Sequence, residues 1–355
     1  MTRIRVALLL AASIFLVLRW AGPATARQWP FDVTDLRDRG RLVILVFGDS
    51  GTGEAGQYRV GDAMYQVCRQ RGCDLGLILG DVLYEDGIEV TVRSDADASY
   101  QEIIRQFQQK FERAYERFGR LPGFHFWITP GNHDYRKNAV GVLSTYSEFS
   151  TLWRMPALHY EVPLLPDWIQ LYGVHTETGS RPALNGLQIA SVKRALCDER
   201  NPDRWKLAFG HHPVYNSGHH RGDADERRTR ALLEGPVLRG CGVHLYLAGH
   251  AHHQEHLTVQ GFEQVIQGAA AKSKGSNRAP RDSRIRQRHF SRRFGFAVVE
   301  VDARRMRIDF YDVLGTTEKA PVVVEPRADE IVLTYSWCGS REDIGRPDLE
   351  SLTCS

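Results

Sequence analysis

Five short apolar segments of this chain each end at a glycine that is followed directly by a polar side chain able to bind a metal ion. The segments span residues 42–47, 75–79, 124–130, 207–209 and 243–248, and the polar residues after their glycines are Asp49, Asp81, Asn132, His211 and His250. A short apolar run that stops at glycine is typical of a buried strand that turns sharply on leaving its sheet, because glycine adopts backbone angles that other residues avoid. The pattern therefore predicts five buried strands with polar residues at their ends.

Further helices and strands are predicted from the periodicity of the remaining sequence. The helices are expected at residues 57–71, 100–118, 144–153 and 188–196, and the strands at 160–162, 168–174, 296–301 and 305–311. Within 100–118 the apolar residues recur at helical spacing, which predicts a stripe facing the core; they are Ile103, Ile104, Phe107, Phe111, Ala114 and Tyr115. The alternation of strands and helices predicts an α/β fold with a mixed sheet and helices outside it.

Two segments lack this regular pattern. Residues 272–293 carry nine Lys or Arg residues against the single acid Asp282. We predict a loop there, which is either a solvated surface segment or a basic arm that guides anions to a nearby site. The tail from Ala320 contains strand-like runs at 322–324 and 331–335, and we expect it to be an appendage of the same core.

The polar residues at the strand ends predict a site for two metal ions. In open α/β sheets, ligands collect beyond the carboxyl ends of the strands. The oxygen and nitrogen donors that would meet there are Asp49, Asp81, Tyr84, Asn132, His211, His250 and His252. Two adjacent cations need a bridging carboxylate and about three further protein ligands each. The seven residues supply that number.

The first 26 residues have the three parts of a secretory signal peptide: Arg3 and Arg5, the apolar run 6–18, and small residues up to Ala26. An uncleaved anchor is the alternative, although thirteen apolar-type residues are short for a permanent membrane span. Cleavage after Ala26 removes three arginines and no acid, so 46 basic residues become 43, equal to the 43 acidic ones. The mature chain is then formally neutral, so the mild basicity of the full sequence belongs to the signal and says nothing about a nucleic-acid partner. We expect a secreted or periplasmic protein without a stable membrane span.

Six cysteines in a chain with an export signal favour disulfides over free thiols. Six cysteines allow fifteen pairings. Cys68 with Cys73 and Cys338 with Cys354 are close in sequence, and Cys197 with Cys241 would then remain. No C-x-x-C spacing occurs, which makes a zinc cluster the weaker alternative.

The ordered motifs G-D-x-G, G-D-x-x-Y, G-N-H-D, G-H and G-H-x-H resemble those of the purple acid phosphatases, within the calcineurin-like metallophosphoesterases. The small, tartrate-resistant type is the most similar, and the likeness runs from about Leu42 to Tyr311. The resemblance implies the calcineurin-like metallophosphoesterase fold, an α/β fold with mixed β-sheets sandwiched between outer helices. It also implies Fe(III) bound by Asp49, Tyr84 and His252, a bridging Asp81, and a divalent ion, Fe(II), Zn(II) or Mn(II), bound by Asn132, His211 and His250. Gly51 stands where the wider superfamily usually has a histidine ligand, and Tyr84 would replace it with a hard phenolate oxygen suited to a trivalent cation.

The resemblance also implies roles for histidines that are not ligands. His133 and His220 would be catalytic, binding the phosphoryl oxygens and protonating the leaving group. His219 is the reserve candidate for the position of His220. His212, where the small enzymes commonly carry tyrosine, either lines the substrate pocket or packs.

These expectations combine into an exported acid phosphatase that hydrolyses phosphate monoesters, small-molecule substrates, by attack of a metal-bound hydroxide. A phosphodiesterase or nucleotide pyrophosphatase with the same metals is the alternative enzyme, and a di-iron redox protein is the alternative from another class. The expected organisation is a signal peptide at 1–26, a catalytic domain at 27–320 and an extension at 321–355 that packs on the same domain. The sequence predicts no oligomeric state.

Overall fold

The computed structural model describes residues 31–88, 96–138, 140–177, 186–198, 202–349 and 354. The predicted signal peptide at 1–26 lies outside these residues. Within the described ranges, every helix is too short or too polar to cross a membrane.

Fourteen strands in the described residues form two sheets of seven strands each. In chain order the strands are β1 Arg41–Phe47, β2 Leu75–Ile78, β3 Phe126–Ile128, β4 Trp153–Arg154, β5 Tyr160–Glu161, β6 Ile169–Gly173, β7 Trp205–Phe209, β8 Leu245–Ala248, β9 Gln254–Val259, β10 Phe262–Gln267, β11 Ile285–Ser291, β12 Gly295–Asp302, β13 Arg305–Val313 and β14 Ile331–Ser340. The first sheet has the order β14-β13-β12-β1-β2-β3-β4 and the second β11-β9-β10-β8-β7-β6-β5. Both sheets mix parallel and antiparallel pairs, which confirms the predicted mixed α/β class.

The five strands predicted from the apolar runs are β1, β2, β3, β7 and β8, and they are parallel to their neighbours in that set. In β8 alternate side chains face opposite ways. Leu245 and Leu247 join the core that the second sheet shares with the first, whereas Tyr246 and Ala248 join a core on the outer face. Parallel strands covered on both faces are apolar throughout, and this explains their continuous apolar sequence.

Six α-helices occur in the described residues: α1 Ala55–Arg71, α2 Ala96–Phe107, α3 Arg113–Tyr115, α4 Val140–Tyr146, α5 Gly186–Leu196 and α6 Ala224–Leu233. Helix α1 packs against β1 and β12, and its buried Val60, Met64 and Val67 recur at helical spacing. Helix α5 packs on β6, on the other sheet. Helices therefore cover the outer faces of the paired sheets, as the sequence predicts.

The helix predicted at 100–118 is a longer, irregular helical run. It passes from α2 through a π-helical turn, Gln108–Glu112, and α3 into a 3₁₀ turn, Glu116–Arg120. Side chains of α1 draw two carbonyls out of the turn: Gln57 Nε2 donates to Lys110 O at 2.6 Å and Tyr58 Oη to Gln109 O at 2.7 Å. The core-facing stripe is confirmed, since Phe107, Phe111, Ala114 and Tyr115 are buried and Ile103 and Ile104 pack against them.

The predicted helix at 144–153 is wrong beyond its first turn. Helix α4 ends at Tyr146, and two serine side chains then bond to the backbone at and beside β4: Ser147 Oγ accepts from Met155 N at 2.9 Å and Ser150 Oγ from Trp153 N at 3.2 Å. Serine side chains that bond to nearby backbone compete with helix formation in this way.

The basic segment 272–293 is not a loop throughout, because β11 pairs with β9 inside it. Two of its arginines contact the C-terminal backbone: Arg286 Nη1 donates to Pro347 O at 3.4 Å, and Arg288 Nη2 to Arg346 O at 3.2 Å. The strand is held by backbone hydrogen bonds to β9, while its arginine side chains make polar contacts. It therefore lacks the alternation of apolar and polar residues that identifies strands in a sequence.

The three disulfides are Cys68–Cys73, Cys197–Cys241 and Cys338–Cys354, the pairing favoured by sequence separation. In the C-terminal part, β14 extends the predicted run 331–335 and pairs with β13 at the edge of the first sheet. The strand predicted at 322–324 does not form, and its three valines are exposed.

Candidate metal centre

The loops after β1, β2, β3, β7 and β8 bring all seven predicted ligands to one place between the two sheets. The first sheet supplies the two aspartates, the tyrosine and the asparagine, and the second supplies the three histidines. Asp49, Asp81, Tyr84, His211, His250 and His252 are buried, and Asn132 is half-buried. Placing two carboxylates in a buried site is costly unless each is paired or bound to a cation.

The glycines at these strand ends were predicted to adopt unusual backbone angles, and most of them do not. Only Gly80, of the five turn glycines, has a left-handed backbone, with φ of 86°. Asp49 at φ 55° and His250 at φ 68° take that conformation in place of their glycines, and Asp81 at φ 55° takes it together with Gly80. Non-glycine residues in this region are strained, and such strain is concentrated at functional sites.

The turn glycines instead allow other parts of the chain to approach the backbone closely. A Cβ atom on Gly131 would lie 2.3 Å from Asp81 Oδ1, far inside van der Waals contact. Each of the five turn glycines is therefore needed because other parts of the chain approach its backbone closely. Of the five residues that follow them, Asp49, Asp81 and His250 carry the unusual backbone angle.

Four donor atoms form the first cluster. Tyr84 Oη lies 2.9 Å from Asp49 Oδ1, 2.8 Å from Asp81 Oδ2 and 3.1 Å from His252 Nε2. His252 Nε2 lies 3.3 Å from Asp49 Oδ1. Ligands about 2.1 Å from one metal ion and at right angles to each other are about 3 Å apart. The spacing therefore matches the edges of a coordination polyhedron.

The second cluster shares Asp81 with the first. Asn132 Oδ1 lies 3.0 Å from His211 Nε2 and 3.1 Å from His250 Nδ1, and the two nitrogens are 3.3 Å apart. Asp81 Oδ1 lies 3.5 Å from His211 Nε2. Because Asp81 Oδ2 faces the first cluster, this carboxylate places one oxygen in each, as a bridging ligand must.

The electrostatics of the donors fit a cationic occupant. Burial and the neighbouring Asp49 and Asp81 raise the pKa of Tyr84 well above its ordinary value. A phenolate therefore forms there only when a cation compensates its charge. His211 Nδ1 donates to Leu79 O at 2.7 Å, which leaves the lone pair on the Nε2 that faces the centre. Hydrogen bonds of this kind orient metal-binding histidines.

Gly51 explains why a tyrosine can serve here. A Cβ atom at position 51 would lie 1.9 Å from the Val82 carbonyl, so a histidine has no room. The close approach allows two backbone hydrogen bonds, from Gly51 N to Asp81 O at 3.1 Å and from Tyr84 N to Gly51 O at 3.0 Å. These bonds fold the loop after β2 over the loop after β1 and bring Tyr84 Oη to Asp49.

The predicted substrate-side histidines occupy two kinds of position. His133 and His220 are half-buried beside the clusters: His133 Nε2 is 4.0 Å from Asp81 Oδ2, and the His220 ring is 4.2 Å from the His250 ring. His219 is exposed, with its ring 6.2 Å from that of His252. His212 is fully buried, and its Nδ1 is 3.1 Å from Thr176 Oγ1. Its ring packs against those of His211 and His250, with centroids 4.8 and 4.4 Å apart, and this burial favours the packing alternative.

Sequence reasoning missed Asp134, the last residue of the Gly-Asn-His-Asp motif. Its carboxylate accepts four backbone N–H groups, from Asp81 and Gly131 on Oδ2 at 2.9 and 2.8 Å and from Val82 and Leu83 on Oδ1 at 3.0 Å each. Burial and the neighbouring Asp81 raise its pKa, while the four donors favour its anion. Asp134 thus ties the loop after β2 to the loop after β3. Its place in the motif is the only signal in the sequence.

Lys272 was also missed. Its Nζ lies 4.2 Å from the centroid of the Tyr84 ring and forms an ion pair with Glu85. The side chain is largely buried, so the cation is held against the ring face. A cation over a phenol ring favours electron density on the ring and stabilises a phenolate.

The sequence profile of the calcineurin-like phosphoesterase family matches residues 42–254, from β1 to the first residue of β9. The chain belongs to this family. The matched range contains all seven candidate ligands, so this phosphoesterase has its family relationship and its candidate site in the same part of the chain.

Curated relatives of this phosphoesterase include acid phosphatases. The chain is 26% identical to tartrate-resistant acid phosphatase type 5 of Homo sapiens over 273 residues, covering 69% of this chain and 77% of that protein. It is also 26% identical to purple acid phosphatase 17 of Arabidopsis thaliana over 258 residues, covering 66% and 70%.

Solved structures show the same fold. GAP50, described as the anchor in the inner membrane complex of Plasmodium, aligns with a TM-score of 0.63 at 17% identity, over 81% of this chain and 90% of that one. Purple acid phosphatase PPD1 from Lupinus luteus aligns with a TM-score of 0.58 at 15% identity, over 89% and 57%. At these identities the alignments establish the architecture alone.

Proposed function

We propose that this phosphoesterase is a binuclear-metal acid phosphatase that hydrolyses phosphate monoesters. The observation that carries the proposal is Asp81, whose two carboxylate oxygens each face one of two donor clusters. The similarity to purple acid phosphatases supports the choice of monoesters. We also propose export to the periplasm or the exterior, supported by the signal-like residues 1–26 and three disulfides.

Two metal ions fit the two clusters. Fe(III) would be held by Asp49, Tyr84 and His252, since the cluster offers three hard oxygen donors once Asp81 is included. A divalent ion, Fe(II), Zn(II) or Mn(II), would be held by Asn132, His211 and His250. When bound, the metals would polarise the phosphoryl group and lower the pKa of nearby water.

His133 and His220 would bind and protonate the substrate. His133 Nδ1 donates to the Glu85 carbonyl, which orients Nε2 toward the clusters. Burial lowers the pKa of His133, and burial together with His250 lowers that of His220 to about 4. A bound phosphate ester would oppose these effects by stabilising each imidazolium. The two rings could then neutralise phosphoryl charge, and one could donate a proton to the leaving alkoxide.

Tyr84→Phe tests the metal assignment through the visible spectrum. A tyrosinate on Fe(III) gives a violet charge-transfer band, and we expect the iron-loaded protein to show it and Tyr84→Phe to lose it. Tyr58→Phe is the matched control, because Tyr58 Oη bonds to Gln109 O at 2.7 Å away from the clusters. A colourless wild-type protein with both metal sites filled would contradict the tyrosinate. The protein would then be a binuclear phosphoesterase without a tyrosinate ligand.

A phosphodiesterase or nucleotide pyrophosphatase is the second candidate, because basic residues border the site. Lys274 N donates to His252 O at 3.0 Å, and Gly275 packs against His219. The Lys274 side chain is exposed at this rim of the site, formed by residues 274–275 beside His252 and His219, and it could attract a second phosphate group there. The arginines of β11 are turned toward the C-terminal backbone and contribute less to this rim.

Relative rates on three substrates separate the two candidates. For a monoesterase we expect kcat/KM on p-nitrophenyl phosphate to exceed that on bis-p-nitrophenyl phosphate by roughly tenfold or more, since the monoester dianion offers more charge to the site. If Lys274 binds a second phosphate, Lys274→Gln should raise KM for a nucleoside diphosphate by roughly two- to fivefold, the range of an exposed ion pair. Lys319→Gln, at a residue paired with Glu54, is the control. A preference for the diester would replace our proposal with the second candidate.

A further inference from the structure

One carboxylate outside the predicted site faces two of its histidines. Asp223 Oδ2 lies 3.0 Å from His220 Nδ1 and 4.0 Å from His250 Nε2. Among the described residues, His250 Nε2 is buried without a hydrogen-bond partner, and the His220 and His250 rings are 4.2 Å apart. Asp223 therefore places a carboxylate oxygen in hydrogen-bond contact with the Nδ1 edge of the His220 ring.

The other oxygen of Asp223 holds the carboxylate in place. Asp223 Oδ1 accepts from Glu226 N at 2.9 Å and caps the N-terminus of α6, and Glu226 Oε2 accepts from Gly222 N at 2.8 Å. A side chain fixed in this way cannot rotate freely toward solvent. The direction of Oδ2 toward His220 is thus determined by the helix start.

His220 needs such support because its backbone does not favour its conformation. Its φ is 67°, in the left-handed region, and the segment between β7 and α6 that carries it has no strand or helix. The hydrogen bond to Asp223 is the only one found for its ring among the described residues.

We propose that Asp223 is a positioning residue that sets the tautomer and orientation of His220. A carboxylate only accepts hydrogen bonds, so it keeps the proton on His220 Nδ1 and directs Nε2 to the substrate side. When the imidazolium donates its Nε2 proton to the leaving oxygen, the neutral ring that remains is the Nδ1–H form that Asp223 stabilises. The inference rests on the proposed phosphatase function, in which His220 meets the substrate.

Asp223→Asn separates capping from tautomer control. An asparagine oxygen still caps α6, so the amide NH₂ group faces His220 Nδ1 and donates to it. The neutral ring then carries its proton on Nε2, which is the opposite tautomer from the one that Asp223 selects. We expect kcat on phenyl phosphate, a poor leaving group, to fall roughly 10- to 100-fold, but kcat on p-nitrophenyl phosphate to change less than about threefold. Asp223→Ser keeps a cap and loses the contact, and it should show the same selectivity.

A double-mutant cycle with His220→Ala identifies the residue through which Asp223 acts. If it acts through His220, Asp223→Asn has no further effect in the His220→Ala background. A persistent effect, an equal loss on both substrates, or a lower metal content would place its role at His250 or the metal centre and overturn the proposal. Unchanged kinetics in Asp223→Asn and Asp223→Ser would overturn it as well.

The tautomer can be read without turnover. In histidine-labelled, zinc-loaded protein, nitrogen–proton correlation spectra should show His220, assigned by comparison with His220→Ala, with its proton on Nδ1 in the wild type and on Nε2 in Asp223→Asn. The same tautomer in both proteins would refute the inference whatever the activity. Absence of phosphatase activity in the wild type would instead refute the proposed function, and the spectra would still report on Asp223.

Discussion

Asp81→Asn should lower kcat on p-nitrophenyl phosphate by roughly 10³-fold or more and reduce bound metal from about two ions per chain to one or none. Asp81 Oδ2 lies 2.8 Å from Tyr84 Oη and Oδ1 lies 3.5 Å from His211 Nε2, so this carboxylate serves both clusters. Asparagine keeps the shape but replaces one oxygen with an NH₂ group and removes the charge. One cluster then loses its shared ligand. Steady-state kinetics and elemental analysis of the same samples measure the effect.

Asp86→Asn is the matched control for this variant. Asp86 is exposed, lies five residues further along the same loop, and pairs with Arg136 at 3.4 Å. We expect it to retain both metal ions and activity within about twofold, as for other exposed ion pairs. If Asp81→Asn behaved like Asp86→Asn, Asp81 would not bridge two metals and the binuclear assignment would be wrong.

Asp134→Asn should lower the free energy of unfolding by about 3 to 5 kcal/mol, because two charge-assisted hydrogen bonds are lost and two buried N–H groups face a donor. Asp134 accepts four backbone N–H groups, two on each oxygen. No orientation of an asparagine amide satisfies all four. Urea unfolding of the metal-loaded protein, followed by circular dichroism, measures the change.

Asp329→Asn provides the comparison for stability. Asp329 is exposed and pairs only with Arg327, at 3.0 Å, among the described residues. We expect Asp329→Asn to change the free energy of unfolding by less than about 0.5 kcal/mol. Equal, small effects for both variants would show that the loops after β2 and β3 hold together without Asp134.

The sequence predicts the parallel strands and the seven clustered donors well because both signals are local. An apolar run that ends at glycine identifies strands such as β1 and β8, and the donors follow within a few residues. The ligand roles themselves remain a prediction. The stated reason for the glycines is mostly wrong, since Asp49 and His250 carry the left-handed angle while the glycines give room to loops distant in sequence. Contacts between loops that are distant in sequence do not change the local pattern of apolar and polar residues, so they cannot be predicted from it.

The missed residues share a physical cause. Asp134 works through backbone N–H groups of another loop, and Asp223 through a histidine three residues away whose ring direction depends on the turn between them. An aspartate at a turn or a helix start is common for local reasons. Strand β11 was not predicted from the sequence for a related reason. Its position depends on backbone pairing with β9, and its side chains are largely polar.

The position of the centre at the seam between the sheets has a mechanical consequence. Each cluster draws ligands from both halves of the molecule: Tyr84 and His252 in one, Asn132 and His211 in the other. An ion bound in either cluster therefore cross-links the two sheets noncovalently, and its binding free energy adds to the resistance against their separation. Metal loading and closure of the sandwich become one linked equilibrium, so a change that loosens the contact between the sheets should weaken metal affinity even when every ligand is intact.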